Sequence, residues 1–274
     1  MSALALQCFV GGEPVAALSP LDRGLAYGDG LFETLRLHEG QPVWWQEHMQ
    51  RLARGCEALG LAMPDVVWLR ARLDDLLARA PAAGVFKLVL TRGEGGRGYA
   101  PPSPPPAPGL VLSLHALPPP APVEGLSLRW CRTRLGPQPA LAGLKHLNRL
   151  EQVLARREWQ DPGIHEGLML DDEGRVVGAT AANLFALIDG QWLTPPVQRC
   201  GVAGVCRRWL LAEGLAREAV LERAQVEDAR ALVLGNAVRG ILPVHRLEGR
   251  QWPPHPAVTA LRGQVGRAVA AFAR

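Results

Sequence analysis

Apolar and polar residues alternate with period two from Leu31 to Leu37. This predicts a strand with Phe32, Thr34 and Arg36 on one face and Leu31, Glu33, Leu35 and Leu37 on the other. Ahead of it, residues 6–18 read as a hairpin turning at Gly11-Gly12, and residues 20–30 as a glycine-punctuated loop. Gln41 to Trp45 reads as a short strand. The period then changes. Met49, Leu52, Cys56 and Leu59 recur at helical spacing and predict a helix ending at Gly60, with His48 and Arg51 on a different face. Leu69, Leu73, Leu76 and Leu77 predict a second helix from near Pro64. Residues 85–92 and 110–117 return to strand patterns, separated by a mobile glycine-rich loop and a proline-rich run at 101–108 that excludes regular structure.

A stiff proline run follows, and the chain divides there. Residues 1–117 read as an N-terminal α+β subdomain, 118–123 as the connector and 124–274 as a C-terminal subdomain. The second part opens with a strand at 126–132. A segment around Lys145 leads into a helix reaching about Gln160. Short strands follow around 167–171, 176–177, 183–188 and 191–194, then a helix from near Gly204 and a strand at 231–235. Val258, Leu261, Val265, Val269 and Phe272 mark a closing amphipathic helix over 256–272. Strands in runs beside helices give an α+β fold of two subdomains.

Bulk properties narrow the function classes. With 48% hydrophobic and 20% charged residues, the 274-residue chain is globular. No apolar run approaches the roughly 18 residues needed to span a bilayer. The first residues lack a basic start followed by an apolar stretch, so no signal peptide is expected and the reading is cytoplasmic. A net charge of +4, spread without a basic run, argues against nucleic acid and suits a small anionic substrate. Five irregularly spaced cysteines and unpaired histidines predict neither a disulfide framework nor a metal site.

The basic residues hold an asymmetry. Of 30 Lys plus Arg, only Lys87 and Lys145 are lysines. A lysine kept where arginine would supply the charge points to use of its amine, because a guanidinium stays protonated and forms no Schiff base. Lys87 lies within a strand pattern, which makes it a poor reactive amine. Lys145 lies where a turn-like run meets a helical pattern, either as a reactive amine or as an ordinary helix-start lysine. Three features could work with it. Residues 201–207 (GVAGVCR) form a glycine loop opening a helix, either a phosphate cradle or a plain loop-to-helix turn. Arg51 could pair with the same phosphate, or be a surface arginine. Arg97 and Tyr99, on the glycine loop, could meet a carboxylate or solvent. A lysine amine with a phosphate cradle is what pyridoxal 5′-phosphate (PLP) requires.

Six stretches in order, DRGLAYGDGLFET at 22–34, HMQRL at 48–52, TRGEGGRGY at 91–99, LAGLKHLNRLEQ at 141–152, ANLF at 182–185 and GVCR at 204–207, span nearly the whole chain. They resemble the fold-type IV PLP enzymes, the group of D-amino acid and branched-chain aminotransferases. GGRGY and KHLNRLEQ look like the aminodeoxychorismate lyases of that group. The resemblance implies a D-amino acid aminotransferase-like fold of two subdomains, PLP as cofactor and a homodimer. Lys145 would be the Schiff-base lysine. Arg51 and the backbone N–H groups of Val205 and Cys206 would hold the phosphate, with help from Asn236 and Ala237. Phe32 and Thr34 would face the substrate, Thr34 assisting catalysis, and Arg97 and Tyr99 would approach substrate carboxylates. In this family a glutamate usually faces the pyridine nitrogen. Gly178 stands at that place, and Ala237 lacks a hydroxyl that some relatives use on the phosphate.

The activity so implied is conversion of 4-amino-4-deoxychorismate to 4-aminobenzoate and pyruvate, a step of folate synthesis. A D-amino acid or branched-chain aminotransferase is the alternative, and a PLP-binding homologue with weak catalysis, suggested by Gly178, is a third.

Overall fold

The computed structural model describes residues 3–78 and 81–273. The chain forms two compact units. The first is Met1–Leu117 with Leu144–Asn148, and the second is Pro118–Gly143 with Arg149–Arg274.

In the first unit, β1 (Ala5–Val10) and β2 (Glu13–Val15) form the opening hairpin. A short helix, α1 (Arg23–Tyr27), then replaces the expected loop. Its start is fixed by Asp22, whose carboxylate accepts from the Gly24 N–H, and its end by Gly28 at φ 65°, a left-handed conformation that suits glycine. β3 (Gly30–His38) and β4 (Gln41–Pro42) follow. The strand expected through Trp45 stops at Pro42, because α2 (Trp45–Leu59) begins there and ends at left-handed Gly60. α3 (Val66–Leu77) is capped by Asp65, which accepts from the Trp68 N–H. β5 (Gly84–Thr91) and β6 (Gly109–His115) complete the unit.

The six strands pair antiparallel in the order β2-β1-β6-β5-β3-β4. Alternation puts Leu31, Leu35 and Leu37, Phe86, Leu88 and Leu90, and Leu110, Leu112 and Leu114 on one face. There they meet Met49, Leu52 and Cys56 of α2 and Leu69, Leu73 and Leu76 of α3. Each large apolar side chain so removed from water contributes roughly 1.5–3 kcal/mol of transfer free energy. The outer face keeps Phe32, Thr34 and Arg36, as the alternation predicts.

Residues 144–148 differ from expectation: they belong to the first unit, not to the C-terminal part. The reason is a row of contacts along the start of β3. The Phe32 N–H donates to the Lys145 carbonyl at 2.9 Å, and the Leu147 N–H to the Gly30 carbonyl at 3.0 Å. Leu31 bridges His146 antiparallel, and Asn148 Nδ2 donates to the Gly28 carbonyl. A Cβ on Gly28 would come within 2.5 Å of the Asn148 side-chain oxygen, so this contact too requires glycine.

The second unit holds β7 (Leu126–Trp130), α4 (Leu150–Arg156), β8 (Glu166–Leu170), β9 (Val176–Ala179), β10 (Asn183–Ile188) and β11 (Gln191–Thr194). Then come α5 (Val205–Ala212), β12 (Arg217–Glu218), α6 (Arg223–Asp228), β13 (Ala231–Asn236), β14 (Gly240–Leu247), β15 (Arg250–Gln251) and α7 (Pro256–Ala268). Its nine-stranded sheet runs β12-β11-β10-β13-β14-β7-β8-β9, with β15 on β14. It is mixed: β7 pairs parallel with both β14 and β8. Leu128, Leu168, Leu184, Leu232 and Leu234 lie in one core, while Ala155, Trp159, Met169 and Val177 lie in another. α4 is shorter than expected. α7 stops at Ala268, because Val269 is extended and only a single 3-10 turn, Ala270–Phe272, follows. Among the described residues no helix is long and apolar enough to cross a membrane.

Candidate active site

Lys145 is mounted by its backbone on β3, and its amine stands over the Phe32 ring, 4.0 Å from the centroid. An ammonium over an aromatic face is held by the ring quadrupole. Phe32 and Thr34 share the outer face, so three expected site residues come together in the first unit.

Arg51 is not a surface arginine. It is buried, and its Nε donates to Glu33 Oε1 at 2.8 Å and its Nη2 to Glu33 Oε2 at 2.5 Å. His48, one turn earlier on α2, meets Glu33 Oε2 through Nδ1 at 2.6 Å, and its ring is fully buried. Burial alone would push the Glu33 carboxyl up, but the adjacent Arg51 guanidinium outweighs it and holds the carboxyl down at about 2. Burial drives His48 the other way, below its usual value, and the charges of Arg51 and Lys145 add to this against the pull of Glu33. His48 is therefore neutral, with Nδ1–H donating to Glu33. Its Nε2 is buried without a hydrogen-bond partner among the described residues. Sequence reasoning paired His48 with Arg51 but passed over Glu33. The available signal was a carboxylate in the row Leu31, Leu35, Leu37, where every neighbour is core.

Arg97 and Tyr99 lie on an exposed loop. It is pinned from α1, since Arg23 donates to the carbonyls of Gly98 and Tyr99, and the Tyr27 and Tyr99 rings meet edge to face at 5.5 Å.

In the second unit, Val205 and Cys206 open α5 behind Gly204, which offers no side-chain cap. First-turn N–H groups have no acceptor within a helix, and here no cap competes for them. A Cβ on Gly204 would lie 2.1 Å from the Asn183 side-chain oxygen, so only glycine allows that approach. Asn183 in turn donates to the Val202 carbonyl, shaping the loop ahead of the helix. The end of β13 is close: a Cβ on Gly235 would touch Cys206 Sγ at 3.4 Å. Asn236 itself is spent on the turn, its oxygen accepting from the N–H groups of Val238 and Arg239, and Ala237 lies buried within that turn. Asn183, which shapes this loop, stands in the ANLF motif without being singled out by the sequence pattern.

Gly178 pairs with Met169 in the β8–β9 hairpin. The Thr180 hydroxyl is not available as a lone donor, since it donates to Glu166 Oε1 at 2.5 Å. Burial raises the Glu166 carboxyl despite that bond and the Gly167 N–H.

A sequence model of the amino-transferase class IV family matches residues 30–247. The chain belongs to that family. Among solved structures, the class IV fold seen here is similar to 4-amino-4-deoxychorismate lyase from Pseudomonas aeruginosa. The two are 44% identical, with a TM-score of 0.87 over 95% of this chain and 98% of that one. The aminodeoxychorismate lyase of Vibrio harveyi is 36% identical over 86% of this chain and 89% of its own length. A putative branched-chain-amino-acid aminotransferase of Methanocaldococcus jannaschii is 31% identical over 87% and 85%.

Proposed function

We propose that this class IV protein is a PLP-dependent lyase that converts 4-amino-4-deoxychorismate to 4-aminobenzoate and pyruvate. The carrying observation is the Lys145 amine held over the Phe32 ring, on the strand face that also presents Thr34. The two lyases above support the choice of substrate.

The residues suit the cofactor at its aldehyde and its phosphate. In the first unit Lys145 would carry PLP and Arg51 would meet its phosphate. In the second, the N–H groups of Val205 and Cys206 are proposed to bind phosphate, with the Asn236-Ala237 turn alongside. They do not supply a pyridine carboxylate at Gly178. When bound, PLP supplies an electron sink that acidifies the carbon bearing the substrate amine. With the substrate amine bound in its place, Lys145 would be free, and its Nζ would remove the C4 proton as general base. The C3–O bond breaks, and its electron pair leaves with the enolpyruvyl group as the ring becomes aromatic. Lys145 Nζ, now protonated, returns the proton to the methylene carbon of the departing enolpyruvate, giving pyruvate, with Thr34 assisting. Aromatisation supplies driving force that an amino transfer lacks, and we take this to be why a weaker sink suffices beside Gly178.

The aminotransferase relative favours a second reading, amino transfer to an α-keto acid. One assay separates them. PLP-loaded protein given aminodeoxychorismate and no keto acid is expected to release 4-aminobenzoate and pyruvate in equal amounts. No 4-aminobenzoate would sink the lyase reading, and turnover only with a keto acid would establish the other.

The proposal includes a homodimer. Leu150, Val153 and Leu154 form an exposed apolar stripe on α4, suited to a second copy. Sedimentation equilibrium at micromolar concentration is expected to give twice the 29.6 kDa chain mass, and a monomer would refute it.

A further inference from the structure

Asp29 and Arg23 take no part in the chemistry of Lys145, yet they are built into the approach to β3. Asp29 directly precedes Gly30, and its carboxylate collects two guanidiniums. Arg23 Nε donates to Oδ2 at 3.0 Å, Arg92 Nε to Oδ2 at 2.7 Å and Arg92 Nη2 to Oδ1 at 3.0 Å. Burial alone would push this carboxyl up, but the hydrogen bonds and charges of Arg92 and Arg23 hold it below its usual value. Asp29 is therefore a fixed anion at neutral pH.

The two arginines hold the two ends of one loop. Arg92 begins it, and its guanidinium also donates to the carbonyls of Leu59 and Gly60 at the end of α2. Arg23 reaches the tip, where Nη1 donates to the Gly98 carbonyl at 3.1 Å and Nη2 to the Tyr99 carbonyl at 2.9 Å. Every nitrogen of the buried Arg23 guanidinium is thus bonded. Between the ends, a Cβ on Gly95 would lie 2.5 Å from Arg23 Cδ, so the loop is draped over the arginine stem. Gly93, Gly95, Gly96 and Gly98 leave residues 93–99 little stiffness of their own. The Arg23 bonds go to backbone carbonyls. They fix the path of the chain on either side of Arg97 and leave that side chain exposed.

We infer that Arg23, anchored on Asp29, is a positioning residue that holds the 93–99 loop in one shape and so presents Arg97 to the substrate already ordered. The inference rests on the lyase reading, in which Arg97 approaches a substrate carboxylate, and deepens it. A glycine loop that orders only on binding loses conformational freedom at that moment, and affinity falls accordingly. Holding the loop in advance removes that cost from binding. The proton transfers of Lys145 do not depend on it. The clamp therefore acts on KM and not on kcat, whereas a clamp that served the fold alone would move neither.

Arg23→Gln and Asp29→Asn test this in the PLP-loaded protein. Arg23→Gln is expected to raise KM for aminodeoxychorismate about tenfold or more with kcat within about threefold. Asp29→Asn keeps an acceptor oxygen but loses the charge, and should raise KM in the same direction by less. It carries the test should the buried Arg23→Gln change not fold. Brief trypsin treatment reports on the loop itself. Cleavage after Arg97 should quicken about tenfold in Arg23→Gln, relative to cleavage after Arg132, whose side chain is 84% exposed in the second unit. Visible absorbance of the lysine-linked cofactor should be unchanged. Calorimetric binding of chorismate, the hydroxy analogue of the substrate, should weaken by the same factor as KM rises. The trypsin and chorismate arms need no turnover, so they still decide the role of Arg23 if the lyase assay fails. Unchanged KM with unchanged chorismate affinity, unchanged cleavage after Arg97, or a fall in kcat alone would overturn the inference.

Discussion

Lys145→Ala is expected to lower 4-aminobenzoate formation by about 10⁴ or more and to erase the visible absorbance of bound cofactor. The amine is asked to do two jobs, to hold the cofactor and to move the C4 proton, so no partial substitute remains. Lys145→Arg should fail equally, because it keeps the charge over Phe32 but neither links nor exchanges protons near neutral pH. The loss should be chemical and not structural. The segment is held through backbone groups, Phe32 N–H to the Lys145 carbonyl and Leu147 N–H to the Gly30 carbonyl, and neither depends on the side chain. Unfolding free energy should therefore change by no more than about 1–2 kcal/mol, the size of the lost cation–π contact. Single-turnover measurement and urea denaturation on the same samples check both halves. Activity above a few per cent of wild type would show that Lys145 is not the working amine.

The second large effect concerns stability. Glu33→Ala should lower the unfolding free energy at pH 7 by about 3–5 kcal/mol, since it leaves the buried Arg51 guanidinium without its carboxylate. The effect carries a pH signature. The Glu33 carboxyl is at about 2 in the fold against 4.5 when exposed. Its contribution is thus present above pH 4.5 and is lost as pH falls toward 2. The gap between wild type and variant should narrow below pH 4.5. His48, buried neutral, adds a loss of its own on acidification below about 6.5, larger in the variant, which lacks the Glu33 carboxylate that raises His48, so the two proteins are compared in a His48→Gln background. Urea titrations from pH 7 to 3 decide it: a gap that stays constant would mean that Glu33 does not act through its charge.

Much of the first unit was legible because its strands bury one face only. Alternation in β3 placed Phe32 and Thr34 correctly and outlined the leucine row beneath them. In the second unit β10 and β13 are buried on both faces and show no period, yet both were legible as short continuous apolar runs. β14 escaped because Pro243 interrupts an otherwise apolar run. α1 escaped because five residues give no helical period, and only its caps, Asp22 and Gly28, announce it. Lys145 was found through the chain's preference for arginine. The burial of Arg51 was not, because the ion pair that permits it joins residues far apart in sequence.

The five residues that return to β3 have a consequence for the order of events in a growing chain. β3, β5 and β6 can close over their leucines as soon as residue 115 is made. Lys145 is made 30 residues later and docks from 113 positions beyond Phe32 along the chain. A first unit cut at the proline connector would keep its core, its Glu33–Arg51 pair and the Phe32 ring, and still lack the amine that stands over it. Chemical competence is in this sense a late acquisition, fitted onto a platform that precedes it.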